Sequence, residues 1–315
     1  MALQARHDRA EFVRRERCVA CQSDDLETLD SGRYSEDPVR SYVEQDPWGV
    51  SPLPFLEECP WEFVRCRPCG QMFQKWLLTP DWQEIRFREW MNQESIREFE
   101  RIKGLDTPDA AFRKALDHVK HILRLERMTR TARGGDAVRV LDFGCGWGEF
   151  LATAKQFGFE AFGIDRAPDR QKVSLDRGVT VVPDLDAART AAGRPFHAVT
   201  LFQVLEHVEE PLPLLEAIRG VMAPGAILVL EVPNCEGIRK LSTLSDYYNI
   251  HPLEHINCFT KDSLRAIARR AGFRQVTPPV AQVTANPVKV VKGEVRRLLP
   301  GLKSPGTNQY FVRDA

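Results

Sequence analysis

Residues 138–165 read VRVLDFGCGWGEFLATAKQFGFEAFGID, and the order of residue types in this stretch decides the fold. An apolar run over 138–141 ends on Asp142, after which Gly144, Gly146 and Gly148 stand at two-residue intervals. Phe150, Leu151, Ala154 and Phe157 then recur at helical spacing, so the pattern predicts strand, glycine turn, helix. Glycine lets a ligand approach the backbone and permits positive φ where the chain leaves the strand. A second short apolar run ends on Asp165, whose carboxylate, at the tip of a neighbouring parallel strand, can accept both hydroxyls of a ribose.

The spacing also weighs on the kind of nucleoside. A dinucleotide turn has the pattern GxGxxG and seats a pyrophosphate on the helix N-terminus. Here Asp142 stands two residues before the first glycine, and a carboxylate so close repels a pyrophosphate and attracts a cation. An ordinary nucleotide-binding turn is the competing reading. The acid followed by GxGxG resembles the first motif of class I S-adenosylmethionine-dependent methyltransferases, whose cofactor carries an ammonium and a sulfonium and no phosphate. The resemblance implies a Rossmann-like α/β fold with a seven-stranded sheet, and Asp142, Gly144, Gly146, Gly148 and Asp165 as cofactor-binding residues.

The alternation continues downstream. A helix is expected over 168–177 and a short strand over 179–182, followed by Asp184-Leu185, where this family often has an acid for the adenine amino group and a backbone N–H for a ring nitrogen. Asp186 is an equal candidate for that acid. The strand HAVTLFQ and the following VLEHVEEP resemble the family's fourth motif, which implies Gln203 in the cofactor cleft and Glu206 and His207 as organisers of the next turn. A helix over 213–222, a turn at Ala223-Pro224-Gly225 and a strand over 227–232 follow, and TNQYFVRDA reads as a final antiparallel strand.

Two CxxC pairs, Cys18 with Cys21 and Cys66 with Cys69, can each place two thiolates on one turn. Together they make a four-sulfur site suited to structural Zn²⁺, with disulfides or redox chemistry as competing readings. The proline-rich stretch 32–60 supplies an inserted loop between them, and Cys59, Cys145, Cys235 and Cys258 read as buried thiols. Helical patterns follow from Pro80, with Trp82, Ile85, Phe87 and Trp90 as one apolar set, and from Thr107 through Phe112, Leu116, Val119, Ile122, Leu123 and Leu125. The chain is thus expected to divide into a zinc-ribbon-like domain at 1–78, a helical connector or lid at 79–133 and a catalytic domain at 134–315.

Lys+Arg and Asp+Glu both number 44, so net charge gives no argument for nucleic acid or an anionic membrane. No apolar run approaches membrane-spanning length and the charged start lacks an apolar core, which predicts a cytoplasmic protein. The acceptor is read from 233–259, PNCEGIRKLSTLSDYYNIHPLEHINCF. Glu254-His255 through Phe259-Thr260 resembles the EHxxxF(S/T) segment of zinc-containing sugar methyltransferases, whose N-terminal domains also open with CxxC pairs. That implies His255 as general base, Glu254 as its orienting carboxylate or an acceptor hydrogen-bonding group, and Tyr247, Tyr248 and His251 as further acceptor contacts. His251 and His255 are also spaced for a metal pair, or for structural hydrogen bonds. Pro252-Leu253 stand where C-methylating members carry tyrosine and histidine, so O-methylation of a sugar, nucleotide-sugar, glycan or other small hydroxylated metabolite, as in sugar or natural-product biosynthesis, stands beside C-methylation. The alternatives are an RNA or protein methyltransferase that docks its substrate on the zinc domain, for which the basic segment 289–303 lacks interleaved aromatics, and a non-catalytic cofactor sensor.

Overall fold

The run that opens the glycine turn is buried throughout, as a strand covered on both faces must be. The structure, a computed structural model, describes residues 9–281, 287, 288, 291, 292, 295 and 307–314. The basic segment 289–303 lies outside the described residues except at 291, 292 and 295. In chain order the strands begin with β1 (Phe12–Arg14), β2 (Leu26–Arg33), β3 (Pro60–Cys66), β4 (Met72–Gln74) and β5 (Trp76–Leu78). β6 (Arg139–Phe143), β7 (Glu160–Ile164), β8 (Thr180–Val182), β9 (Phe196–Phe202) and β10 (Met222–Glu231) follow. The last are β11 (Asn257–Cys258), β12 (Phe273–Val276) and β13 (Asn308–Arg313).

Two compact units share these strands. One comprises Met1–Ala111, Glu206–Glu209 and Pro233–Ser263; the other comprises Phe112–Leu205, Glu210–Val232 and Leu264–Ala315. The partition differs from three consecutive segments. Residues 79–111 and 233–263 pack with the N-terminal residues, and the helix Pro108–Met128 carries the chain from the first unit into the second.

The second unit is a seven-stranded sheet in the order β12-β13-β10-β9-β6-β7-β8. β10, β9, β6, β7 and β8 pair in parallel, and β13 runs antiparallel between β10 and β12, as the C-terminal strand pattern predicts. Strand order reverses at β6, which pairs with both β7 and β9, so the carboxyl end of β6 is the switch point where such sheets bind ligands. The expected turn at Ala223-Pro224-Gly225 is instead an irregularity inside β10. Met222 already pairs with Phe196, the ladder resumes at Ile227, and Gly225 absorbs the shift at φ 74°.

The apolar stripe of Pro108–Met128 packs through Ile122 and Leu125 on Val138, Val140, Phe150, Leu151, Ile227 and Val229. Its first turn is capped, Thr107 Oγ1 accepting from the Ala110 N–H at 3.2 Å. Phe112, counted in that stripe, is exposed; the contacts of the helix begin further along.

His121 on the same helix lies within this core, its Nδ1 2.6 Å from the Tyr310 hydroxyl and its Nε2 3.8 Å from Glu231. Burial and then the nearby Arg124 and His118 lower its pKa to about 4, with Asp117 acting weakly the other way. An unfolded histidine titrates near 6.5, so between these values the unfolded chain holds more protons than the folded one. Stability is therefore fully present above about pH 6.5 and declines by about 1 kcal/mol per pH unit as pH falls toward 4. Urea unfolding at pH 7 and pH 5 measures this, and His121→Gln should flatten the dependence by that amount. An unchanged slope would mean that His121 is charged in the fold.

The first unit has a four-stranded sheet in the order β11-β4-β3-β2, and a separate β1-β5 pair. β11 joins it by pairing Asn257 with Phe73 and Cys258 with Met72. The core holds Tyr34, Phe63, Trp82, Ile85 and Trp90 together with Tyr247, Ile250, Leu253 and Cys258 from the later segment. Phe87, expected with the two tryptophans, is exposed: two residues beyond buried Ile85 it lies on the opposite face, and Pro80–Ile85 continues as a π-helical turn, Arg86–Trp90.

Candidate functional site

The residues expected at the donor end all belong to the second unit. Gly144 leaves β6 at φ 77°, and a Cβ there would stand 2.5 Å from Val204 Cγ2, so a side chain is excluded twice over. Four of the turn's N–H donors are satisfied within it. The N–H groups of Gly144 and Cys145 both bond Ile164 O (2.7 and 2.9 Å), that of Gly146 bonds Asp165 Oδ2 (2.9 Å), and that of Gly148 bonds Cys145 O (2.9 Å). A phosphate needs such N–H groups free. These four donors are therefore closed to a pyrophosphate, and Asp165 holds one of them.

Asp165 Oδ1 accepts from the Ala167 N–H at 2.9 Å, so each carboxylate oxygen holds one backbone donor and keeps acceptor capacity for a diol. A Cβ on Gly146 would meet nothing within 4 Å, so open space lies above the turn beside that carboxylate. Asp142 is buried and accepts from Thr200 Oγ1 at 2.6 Å; burial raises it to about 7. Gln203 is exposed at φ 55°, with its N–H on Glu231 O at 2.8 Å, a left-handed conformation uncommon outside glycine. Asp184 caps the helix Leu185–Ala192, its Oδ1 accepting from the Ala187 N–H at 2.8 Å, and Leu185 opens that helix. The residues present fit a nucleoside bearing positive charge and a diol.

The imidazoles lie in the first unit. His255 Nδ1 is 3.2 Å from Asn249 O and His207 Nδ1 is 2.8 Å from Glu254 O. A carbonyl oxygen only accepts, so each Nδ1 carries the proton and each Nε2 keeps its lone pair. Burial is the main cause holding both rings below the ordinary histidine range, with His251 adding to it for His255 and His255 for His207. The two rings are 5.0 Å apart between centroids.

Glu254 does not orient His255. Its carboxylate stands 3.7 Å from His251 Nε2, because the backbone N–H groups of both Glu254 and His255 turn back onto His251 O. Tyr247 and His251, expected at the acceptor, are buried. The Tyr247 hydroxyl donates to Asp46 Oδ2 at 2.7 Å and lies 2.8 Å from His251 Nε2, which is 3.1 Å from the same Asp46 oxygen. His251 Nδ1 accepts from the Leu253 N–H at 3.2 Å, which leaves the proton on Nε2 and fixes the tautomer. Tyr248 is half-buried, with the Lys103 ammonium 3.4 Å from its ring centroid.

Sequence reasoning missed Asp46 and passed over His207. Asp46 follows the short helix Val39–Gln45 inside the stretch 32–60, expected as a loop, and carries no local signal. His207 had one: the tripeptide Leu-Glu-His occurs at both 205–207 and 253–255.

The four knuckle cysteines converge, all four Sγ atoms lying within 4.8 Å of one another. Cys18 and Cys69 approach to 3.5 Å, and Cys21 and Cys66 to 3.4 Å. Sulfurs held by one tetrahedral ion at 2.3 Å stand about 3.8 Å apart, so the set fits a metal. The two turns are built alike. The N–H of Gln22 bonds Cys18 O (2.9 Å) and that of Gly70 bonds Cys66 O (2.8 Å), with φ of 62° and 74°. Cys59, Cys145, Cys235 and Cys258 are buried free thiols, as expected. Among the described residues no helix is long and apolar enough to cross a membrane.

Comparison with known proteins adds three findings. A family described as methyltransferase domain matches residues 82–277. A ubiquinone biosynthesis O-methyltransferase of Xanthomonas axonopodis pv. citri is 35% identical over 127 residues, covering 37% of this chain and 52% of that protein. The chain thus spans about half the length of the curated relatives it matches. Among solved structures, an S-adenosylmethionine-bound amino pentose methyltransferase from Micromonospora echinaspora is 30% identical over 39% of this chain and 54% of its own, with a TM-score of 0.30. A methyltransferase dependent on the same cofactor, from Archaeoglobus fulgidus, is 23% identical over 66% of this chain and all of its own, with a TM-score of 0.40.

Proposed function

The chain belongs to the methyltransferase-domain family that matches residues 82–277, and from that premise we propose that it methylates a sugar, nucleotide-sugar, glycan or other small hydroxylated metabolite with S-adenosylmethionine as donor. The observation that carries the reading is the glycine turn: the N–H groups of Gly144, Cys145, Gly146 and Gly148 are spent internally while Asp165 lies beside open space at Gly146. In this reading Asp165 accepts the ribose hydroxyls, Gly144, Gly146 and Gly148 keep the turn close to the ligand, and Asp142 contributes negative character beneath it. Asp184 through Oδ2, the Leu185 N–H and Gln203 serve the adenine and the cleft. Bound S-adenosylmethionine supplies an electrophilic methyl group on a sulfonium.

The acceptor proton goes to His255 Nε2, the lone pair left once Nδ1–H is committed to Asn249 O. Glu254 and Tyr248 hydrogen-bond the acceptor, while Tyr247, His251 and Asp46 brace the segment that bears His255. Cys18, Cys21, Cys66 and Cys69 hold a structural Zn²⁺, which supplies the cross-link between the two knuckles. O-methylation needs only removal of a hydroxyl proton and is the simpler outcome.

Incubation with methyl-labelled S-adenosylmethionine and a cell extract tests the acceptor class: label is expected in the small-molecule or glycan fraction. Label removed by ribonuclease or protease would sink the small-molecule reading. Asp165→Asn tests the donor half and should weaken S-adenosylmethionine binding by on the order of 100-fold, the loss of one hydrogen bond to a charged group, since the amide keeps a single acceptor oxygen. Calorimetry that finds wild-type affinity would remove Asp165 from the site.

A further inference from the structure

Beyond the four cysteines, one other group of side chains among the described residues brings ligand atoms together: Glu206, His207 and His255, all within 4.8 Å of one another. We propose that these three residues bind a first-row divalent transition-metal cation, and that the bound cation occupies the histidine lone pair needed for proton removal. The second half rests on the base role proposed above for His255; the first half does not.

The orientation of the two rings carries the site. A metal-bound imidazole nearly always donates its other ring N–H to a carbonyl or carboxylate, which fixes both tautomer and ring plane. Both rings here have that arrangement already, His207 Nδ1 at 2.8 Å from Glu254 O and His255 Nδ1 at 3.2 Å from Asn249 O. The two carbonyls belong to one short segment, so a single piece of backbone aims both Nε2 atoms. The Leu-Glu-His repeat therefore does more than place two histidines near each other: the backbone of the second tripeptide sets the ring of the first.

Glu206 completes the set. It is 1% exposed, and its Oε1 lies 3.9 Å from His207 Nε2. Two neutral imidazoles and one carboxylate suit zinc, cobalt, manganese or iron(II), and three protein ligands leave positions open for water or a substrate oxygen. The Arg86 guanidinium nearby opposes a cation, but Glu254 stands against it. A nitrogen engaged by a metal has no lone pair left for a proton, so occupancy and the base role of His255 exclude each other. Such a site makes methyl transfer sensitive to free transition metal through residues separate from the cysteine cluster.

The probe is Co²⁺, titrated into the full chain with its cysteine site already filled with zinc. The expected result is one additional equivalent per chain, with the weak d–d absorption of a nitrogen- and oxygen-ligated ion and without the intense sulfur-to-cobalt charge-transfer bands of a thiolate site. His207→Gln and His255→Gln should each abolish this absorption, and Glu206→Gln should weaken the binding, while His118→Gln should keep it; far-UV circular dichroism on each variant checks that it is folded. Absence of the extra equivalent in the wild type, or its persistence in both histidine variants, overturns the site. Co²⁺ should also lower methyl transfer into the labelled acceptor fraction, and a chelator too weak to strip the cysteines should restore it. A rate that rises with Co²⁺ overturns the exclusion of base and metal. A chain with the cobalt spectrum and no methyl transfer under any condition overturns the proposed function and leaves the site standing.

Discussion

Cys66→Ser, or removal of the metal by a strong chelator, should unfold the first unit and stop methyl transfer while S-adenosylmethionine binding persists. Structural zinc sites of this kind contribute on the order of 10 kcal/mol of folding free energy, as much as a whole domain's net stability. The route to the reaction is short and covalently ordered. Cys66 is the last residue of β3, the knuckle Cys66–Cys69 turns the chain into β4, and β4 pairs through Phe73 and Met72 with Asn257 and Cys258. His255 stands two residues before that pairing. Gln71 Nε2 on Cys258 O at 3.1 Å, from the residue before β4, and Gln74 Nε2 on Ile250 O at 2.6 Å, from its end, fasten the same segment. Hydrogen exchange after chelation should lose protection first in β2, β3, β4 and β11. A chelated protein that still transfers methyl at the full rate would show that the cysteines hold nothing the reaction needs.

His255→Gln should lower turnover by roughly 10²–10⁴-fold, the usual contribution of a positioned general base, with S-adenosylmethionine affinity unchanged. The two effects separate because the donor residues Gly144, Gly146 and Asp165 belong to the other unit's sheet. Glutamine is uncharged and fills the Nε2 position with an amide that has no basic lone pair, so the loss belongs in kcat rather than in donor binding. An unchanged kcat in a folded variant would remove the proton-transfer role and leave His255 as a structural or ligating residue.

Local chemistry made the second unit legible. Asp142, the spaced glycines and Asp165 form a continuous signal in which each residue answers a backbone requirement within a few positions of itself. In the first unit the Thr260-Ser263 pair is equally local: each side chain caps the other's N–H, at 3.1 and 3.2 Å, at the start of Lys261–Arg270. Asp184 could have been read the same way, since an acid three residues before Ala187 is an N-cap pattern. The first unit was less legible because its organising contacts are non-local. Nothing near 233–263 announces that Asn257 pairs with Phe73, that Leu241 N–H bonds Asp30 at 2.8 Å, or that buried Arg86 donates to Leu253 O at 2.6 Å. Asp46 meets Tyr247 and His251 across about two hundred residues of chain, a separation at which periodicity carries no information.

The placement of β11 at the rim of the smaller sheet has a consequence for biosynthesis. During translation the cysteine knuckles are complete once Cys69 has been made, and β2, β3 and β4 can assemble around them. β4 then presents an open hydrogen-bonding edge, and Met72, Phe73 and Gln74, all buried in the finished protein, have no neighbour on that side. Asn257 and Cys258 leave the ribosome roughly 10–40 s later at ordinary elongation rates. Through that interval the nascent chain carries an unfinished sheet, open to pairing with another copy on the same polysome. A ribosome pausing between the two segments would lengthen the exposure, and a gene shortened before residue 257 would make it permanent.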